Sequence, residues 1–194
     1  MTSSNRAAFI SHTAKGGLAL VAGGSVLAEV TSLAVASGIT DVEIAKLAAT
    51  AELLAINFYD HAINSHKFTN ADEKRYLHLA RGDEVAHYEA LSGVLGRHTP
   101  RGLKFKYPAG SFSSRLSISK LGVGLETAFV GAYLGAVTAL KSNKLKGVAA
   151  QIGASENQHL AIFSDIVSNQ PIGPAFPTVF TAAQATAAVS GFIA

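Results

Sequence analysis

The sequence predicts an all-α fold, an antiparallel four-helix bundle with one long crossover between its second and third helices. Three observations predict it. A pattern Glu-x6-Tyr followed by Glu-x-x-His occurs twice, as Glu52, Tyr59, Glu84, His87 and again as Glu126, Tyr133, Glu156, His159. All five prolines fall outside four long stretches of helical periodicity. Uninterrupted helices require this, since an internal Pro costs about 3 kcal/mol. Finally, the links between the stretches are short, long and short, and a long middle link carries the chain along a bundle instead of turning it straight back.

Length and composition suit such a domain. At 194 residues, 48% of them hydrophobic and only 15% charged, the chain can bury a large core and is not a disordered segment. The expected organisation is an export signal over 1–36, the four-helix domain over 37–169, and a Pro-containing tail with one short helix over 170–194. The net charge of +3 is mild. Its basic clusters, Arg97 to Lys106 and Lys141 to Lys146, accompany no nucleic-acid-binding motif, so solubilising charge is expected and a nucleic-acid partner is not. The absence of cysteine excludes disulfides, iron–sulfur clusters, zinc ribbons and thiol catalysis.

Taken in order, Arg6 and Lys15 give a basic start, Gly16 to Ala28 an apolar run too short to span a bilayer, and Ala34-Val35-Ala36 a small-residue cleavage site. An exported protein, periplasmic or extracellular and without a transmembrane anchor after cleavage, is the expectation; without a functional signal it would be cytoplasmic. The first helix is expected from Thr40, where Thr40-Asp41-Val42-Glu43 forms a capping box. Ile44, Leu47, Ala51, Leu54, Ala55, Phe58 and Ala62 then keep helical spacing. A second helix follows Thr69-Asn70, with Asp72 and Glu73 suiting its positive end, and stops at Gly96. The crossover holds Pro100, Gly102, Pro108 and Gly110. The third helix carries Leu121, Leu125, Phe129 and Ala132, and its Gly122, Gly124, Gly131 and Gly135 predict close packing against a neighbouring helix. Ser142-Asn143 marks a turn, the fourth helix runs from about Leu145 to Ser168, and a short helix is expected at Ala182–Val189.

The repeated pattern carries the chemistry. Residues three apart share a helix face, so each Glu-x-x-His unit points a carboxylate and an imidazole the same way. Seven residues are close to two turns, so Tyr59 and Tyr133 share the faces of Glu52 and Glu126. Those faces are otherwise apolar, and Glu126 has no Lys or Arg within five residues on either side. Four carboxylates in a dry interior repel one another and lose their hydration. Two divalent cations would offset four negative charges, and two neutral imidazoles would complete the coordination. Glu84 and Glu156 are the expected bridging ligands, Glu52 and Glu126 the terminal ones, and His87 and His159 would bind one ion each. An oxygen-rich set with little imidazole suits iron or manganese. Tyr59 and Tyr133 are expected to hydrogen-bond ligand carboxylates from outside the coordination shell. Asp83 is expected to accept an N–H from a ligating imidazole; its counterpart in the second half is Ser155, so the two metal sites are not expected to be identical.

The phrases Glu52-Leu53-Leu54-Ala55-Ile56-Asn57-Phe58-Tyr59, Asp83-Glu84-Val85-Ala86-His87, Glu126-Thr127-Ala128-Phe129-Val130-Gly131-Ala132-Tyr133 and Glu156-Asn157-Gln158-His159 carry a further likeness. Residues 41–169 resemble the ferritin-like proteins related to rubrerythrin, most of all the exported branch that includes desiccation-related proteins. The resemblance implies a ferritin-like four-helix bundle with a dinuclear site at the six residues. Unlike rubrerythrin, the chain has no cysteine-ligated iron domain and no extra glutamate beside Glu126, so no built-in electron relay is expected. Three functions fit. One is an oxidase-, peroxidase- or catalase-type enzyme acting on O2 or peroxide in stress protection. The others are a metal-sequestering envelope protein and a bundle stapled by its metals. A homo-oligomer is compatible with each.

Overall fold

A computed structural model describes residues 38–194. The expected export signal lies outside the described residues. Five helices follow in order: α1 (Asp41–Asn64), α2 (Ala71–Leu95), α3 (Arg115–Ala139), α4 (Asn143–Ser168) and the short α5 (Ala182–Ser190), with one 3-10 turn at Gly96–His98.

Each long helix starts where a side chain can satisfy its free amides. Thr40 and Glu43 form the capping box of α1, and Asn70 accepts from Asp72 and Glu73 at the start of α2. Ser114 pairs with Ser117 at α3, and Ser142 caps α4. The last cap places the start of α4 at Asn143, two residues before the sequence-based boundary. The turn ahead of it is held from a distance, since the Asp41 carboxylate accepts the backbone N–H groups of Lys141 and Ser142 at 2.8 and 2.9 Å. Gly96, at φ +53°, ends α2, and Asn169, at φ +54°, ends α4.

Interhelical contacts fix the topology. Tyr59 and Tyr76 meet where α1 ends and α2 begins, so these helices are antiparallel. Tyr59 reaches Glu126 while Tyr133 reaches Glu52, so α1 is antiparallel to α3 as well. Helices α2 and α3 therefore run the same way, and the link between them must travel the length of the bundle. Glu84 meets His159 and His87 meets Glu156, which makes α4 antiparallel to α2. The crossover is pinned on the way: Tyr107 donates to Asn57 Oδ1 (2.9 Å), and Phe112 packs on Phe58 and His61.

The tail closes the same side. Helix α5 packs against α1 and α3. Lys106 N–H donates to Phe192 O (2.7 Å), and Ala194 N–H donates to Lys104 O (2.9 Å). The glycines of α3 are explained only in part by helix packing. A Cβ on Gly122 would lie 2.6 Å from the Phe163 ring of α4, as expected. Gly131 and Gly135 instead make room for the tail: a Cβ on Gly131 would lie 2.9 Å from Thr178 O, and one on Gly135 would strike the Phe180 carbonyl. Gly124 meets nothing, so close packing does not account for it. Helix α3 is long and apolar enough to cross a membrane by composition alone. Here its Glu126 is fully buried, and its apolar faces are used against α1, α4 and α5.

Two large apolar clusters fill the interior, beside a small third one of Leu47, Ala185 and Ile193. One is built on Leu54, Phe58, Leu77, Ile118, Phe129 and Phe163, the other on Ile44, Leu91, Leu95, Leu140 and Ile152. Between them along α1 stands Glu52.

Candidate metal centre

Each long helix delivers one glutamate to the middle of the bundle. Glu84 and Glu126 are 0% exposed, Glu156 1% and Glu52 2%. Among the described residues no lysine or arginine forms a salt bridge with them; Arg81 pairs with Asp60 and Arg115 with Glu73. The ligand-type atoms fall into two overlapping groups, Glu52, Glu84, His87, Glu156 and Glu84, Glu126, Glu156, His159, within each of which all offered atoms lie within 4.8 Å of one another. Glu84 and Glu156 belong to both groups. The sequence-predicted residues are thus brought together, and the two that sit on the same helix as a histidine are the shared ones.

The tyrosines cross over. Tyr59, from the first half of the chain, donates to Glu126 Oε1 of the second half at 2.6 Å. Tyr133 of the second half donates to Glu52 Oε1 of the first. Asp83, on the exposed side of α2, lies 3.3 Å from His159 Nε2, across the bundle from its own helix. Sequence reasoning missed Tyr76. Its hydroxyl lies 3.1 Å from Tyr59 Oη and donates to the backbone carbonyl of His159 at 3.1 Å. The signal was present, because Tyr76, Ala80 and Glu84 recur at every fourth position and so share a face of α2. It went unread because Tyr76 has no partner in the repeat: Val148 stands at the corresponding place before Glu156.

Among the described residues, the imidazoles are the groups that can bring positive charge into the cluster. His87 Nδ1 lies 3.1 Å from Glu156, 3.3 Å from Glu84 and 3.5 Å from Glu52. His159 Nδ1 lies 3.0 Å from Glu84 and 3.3 Å from Glu156. Burial alone would lower both histidines, but the facing carboxylates outweigh it and push His87 up to about 12 and His159 up to about 11. For Glu84, burial acts upward, yet contacts from His159 and His87 hold it at about 2. Burial drives Glu52 and Glu126 well above the ordinary carboxylate range, reinforced by their acidic neighbours. Charge repulsion is thus relieved by protons taken up at the histidines and at two of the acids.

That relief is incomplete. Glu84 Oε1, Glu126 Oε2, both carboxylate oxygens of Glu156 and His159 Nδ1 are buried with no hydrogen-bond partner. The imidazoles are near enough to attract these oxygens, but a ring N–H has one direction, and that of His87 is directed at Glu84 Oε2. Buried polar atoms are normally paired, and leaving one unpaired costs about 1–3 kcal/mol. All five atoms are metal-ligand types, and cations between the two groups would give each a partner. The donor set therefore fits metal ions.

Comparison with curated proteins returns no match. The model of the ferritin-like domain family matches residues 40–169, which takes in all four long helices and all six glutamate and histidine side chains of the cluster. On that match, and on a bundle with an acid- and histidine-lined interior that could hold metal ions, the chain belongs to the ferritin-like family.

Proposed function

We propose that the protein binds two divalent cations, iron or manganese, and that the loaded form reacts with O2 or peroxide as a stress-protective oxidoreductase. Glu84 and Glu156 would be shared by the two ions. Glu52 and His87 would complete one position, Glu126 and His159 the other. The observation that carries this reading is the set of five buried ligand-type atoms without partners. Two dications match four carboxylates in charge, and the imidazoles then bind as neutral bases.

A pair of redox-active ions would supply the electrons that O2 or peroxide accepts. The chain's own residues set the conditions. Tyr59 and Tyr133 hold one oxygen each of Glu126 and Glu52 and so turn the other oxygen inward. The two histidines, protonated in the metal-free protein, release those protons as they become ligands. The apolar clusters on either side keep bulk water from the carboxylates, which strengthens every electrostatic contact between them. The expected export and the desiccation-related role belong to the same proposal.

Elemental analysis of protein from its native host tests the reading, combined with O2 and peroxide consumption. Two iron or manganese ions per chain are expected, with consumption of oxidant lost in Glu84→Ala. Metal without consumption would reduce the reading to sequestration, and unchanged metal content in both Glu84→Ala and Glu156→Ala would overturn it.

A further inference from the structure

We propose that the two metal positions are unequal, and that a divalent cation fills the Glu126–His159 position before the Glu52–His87 position. This rests on the dinuclear reading above and asks which of its two halves is built in advance. Three observations point the same way.

The first is the outer face of each histidine. His159 Nε2 lies 3.3 Å from Asp83 Oδ2. An N–H given to that carboxylate leaves Nδ1 as the free lone pair facing Glu84 and Glu156, and it fixes the ring's rotation. Among the described residues, His87 Nε2 has no such partner. Ser155, the counterpart of Asp83, makes no bond to it.

The second is the tyrosine pair. Tyr59 donates to Glu126 while standing 3.1 Å from the hydroxyl of Tyr76, and Tyr76 donates to the backbone carbonyl of His159. Two adjacent phenol hydroxyls therefore serve this position, one holding its terminal carboxylate and the other the helix turn bearing its histidine. At the other position Tyr133 donates to Glu52 alone, and Val148 replaces the second tyrosine.

The third is burial. The His159 side chain is 4% exposed and that of His87 13%. The position with the extra supports is also the more enclosed, so its ligands lose less freedom when a cation arrives. Asp83 and Tyr76 are positioning residues in this account; neither would touch the ion.

The experiment is a titration of Mn(II) alone into the metal-free full chain, with the free ion read from its aqueous spin-resonance signal. Wild-type protein should show two classes of site whose affinities differ by about tenfold or more, the scale on which supports of this kind act. Tyr76→Phe with Asp83→Asn should weaken the tighter class by about 10- to 100-fold and leave the other in place. Thermal melts of the metal-free variants confirm that they are folded. Crystals grown at half an equivalent of Mn(II) should show anomalous density beside Glu126 and His159. Two equal classes, a first ion beside Glu52 and His87, or equal weakening of both classes in the variant would overturn the inference and leave the dinuclear reading standing. Failure of wild-type protein to bind Mn(II), Fe(II) or any other divalent ion would overturn both.

Discussion

The two halves of the acidic cluster use the same ligand-type residues and different surroundings. In one, Glu126 and His159 are backed by Tyr59, Tyr76 and Asp83. In the other, Glu52 and His87 are backed by Tyr133, with Val148 and Ser155 where the first half has Tyr76 and Asp83. A small apolar cavity of about 20 Å³, lined by Tyr133, Val148, Leu91 and Ile44 among others, lies beside Val148. The lesson is that repetition preserves what the charge balance demands and leaves free what merely orients it. Four acids and two imidazoles are needed together, because each answers the charge of the others. An orienting hydroxyl acts on one ligand only, so one half can lack it.

The largest effect expected separates the metal-free from the metal-loaded protein. Without metal, both histidines have folded pKa values raised far above 6.5, so the stability they lend is complete below about pH 6.5 and is lost as pH rises toward 11 and 12. Glu52 and Glu126, also raised, act in the same direction from about pH 4.5 upward. Glu84, held at about 2, opposes them only in acid, where its contribution disappears as pH falls from 4.5. The metal-free protein should therefore melt at its highest temperature near pH 5 and progressively lower toward pH 9. Metal binding gains with pH over the same range, because cations compete with those protons. Calorimetry with chelator and with Mn(II) should give curves that diverge by several degrees, at about 2–4 °C per kcal/mol for a chain of this size. Parallel curves would mean that the histidines are not the countercharge in either half.

A second comparison sets Tyr59→Phe against Tyr133→Phe. Each removes a donor from a buried carboxylate. Only Tyr59→Phe also removes the hydroxyl that stands 3.1 Å from Tyr76 Oη, although Tyr76 keeps the His159 carbonyl as its acceptor. Tyr59→Phe should destabilise the metal-free protein more than Tyr133→Phe, by less than the roughly 1 kcal/mol of a full additional hydrogen bond. Urea denaturation of the two variants measures the difference. A larger cost at Tyr133 would place the better-supported half at Glu52.

What was legible in the sequence follows the same division. The four helices, their caps at Thr40 and Asn70, and the long crossover could be read because helical spacing, capping chemistry and proline placement are local. The convergence of six side chains could be read because the pattern occurs twice, and an unpaired acid such as Glu126 in an apolar helix demands a partner. Tyr76 was legible only in part: its spacing from Glu84 puts it on the acidic face of α2, but without a counterpart in the repeat nothing pointed to Tyr59 seventeen positions earlier. The crossing of the tyrosines was also hidden, for spacing says which face a residue takes but not which half it meets. Gly131 and Gly135 announced a close approach, but the partner is the tail segment around Phe180 and not the neighbouring helix that their spacing suggested.

The smallest effect expected comes from filling the small apolar cavity beside Val148. Val148 lines the cavity of about 20 Å³ beside Tyr133, and Val148→Ile adds one methylene toward it. Burying a methylene in existing space is worth about 0.8 kcal/mol, whereas forcing it into filled space costs about 1–3 kcal/mol. The variant should gain a few tenths to 0.8 kcal/mol (about 0.8 at most) in urea denaturation without metal. Since the added group carries no hydroxyl, it should leave the affinity for Mn(II) unchanged at both positions. A gain in stability with no change in affinity would separate packing from orientation as the property that distinguishes the halves. A change in the weaker Mn(II) class would show instead that Tyr133 is loose in its cavity, and that packing alone sets how firmly Glu52 is held.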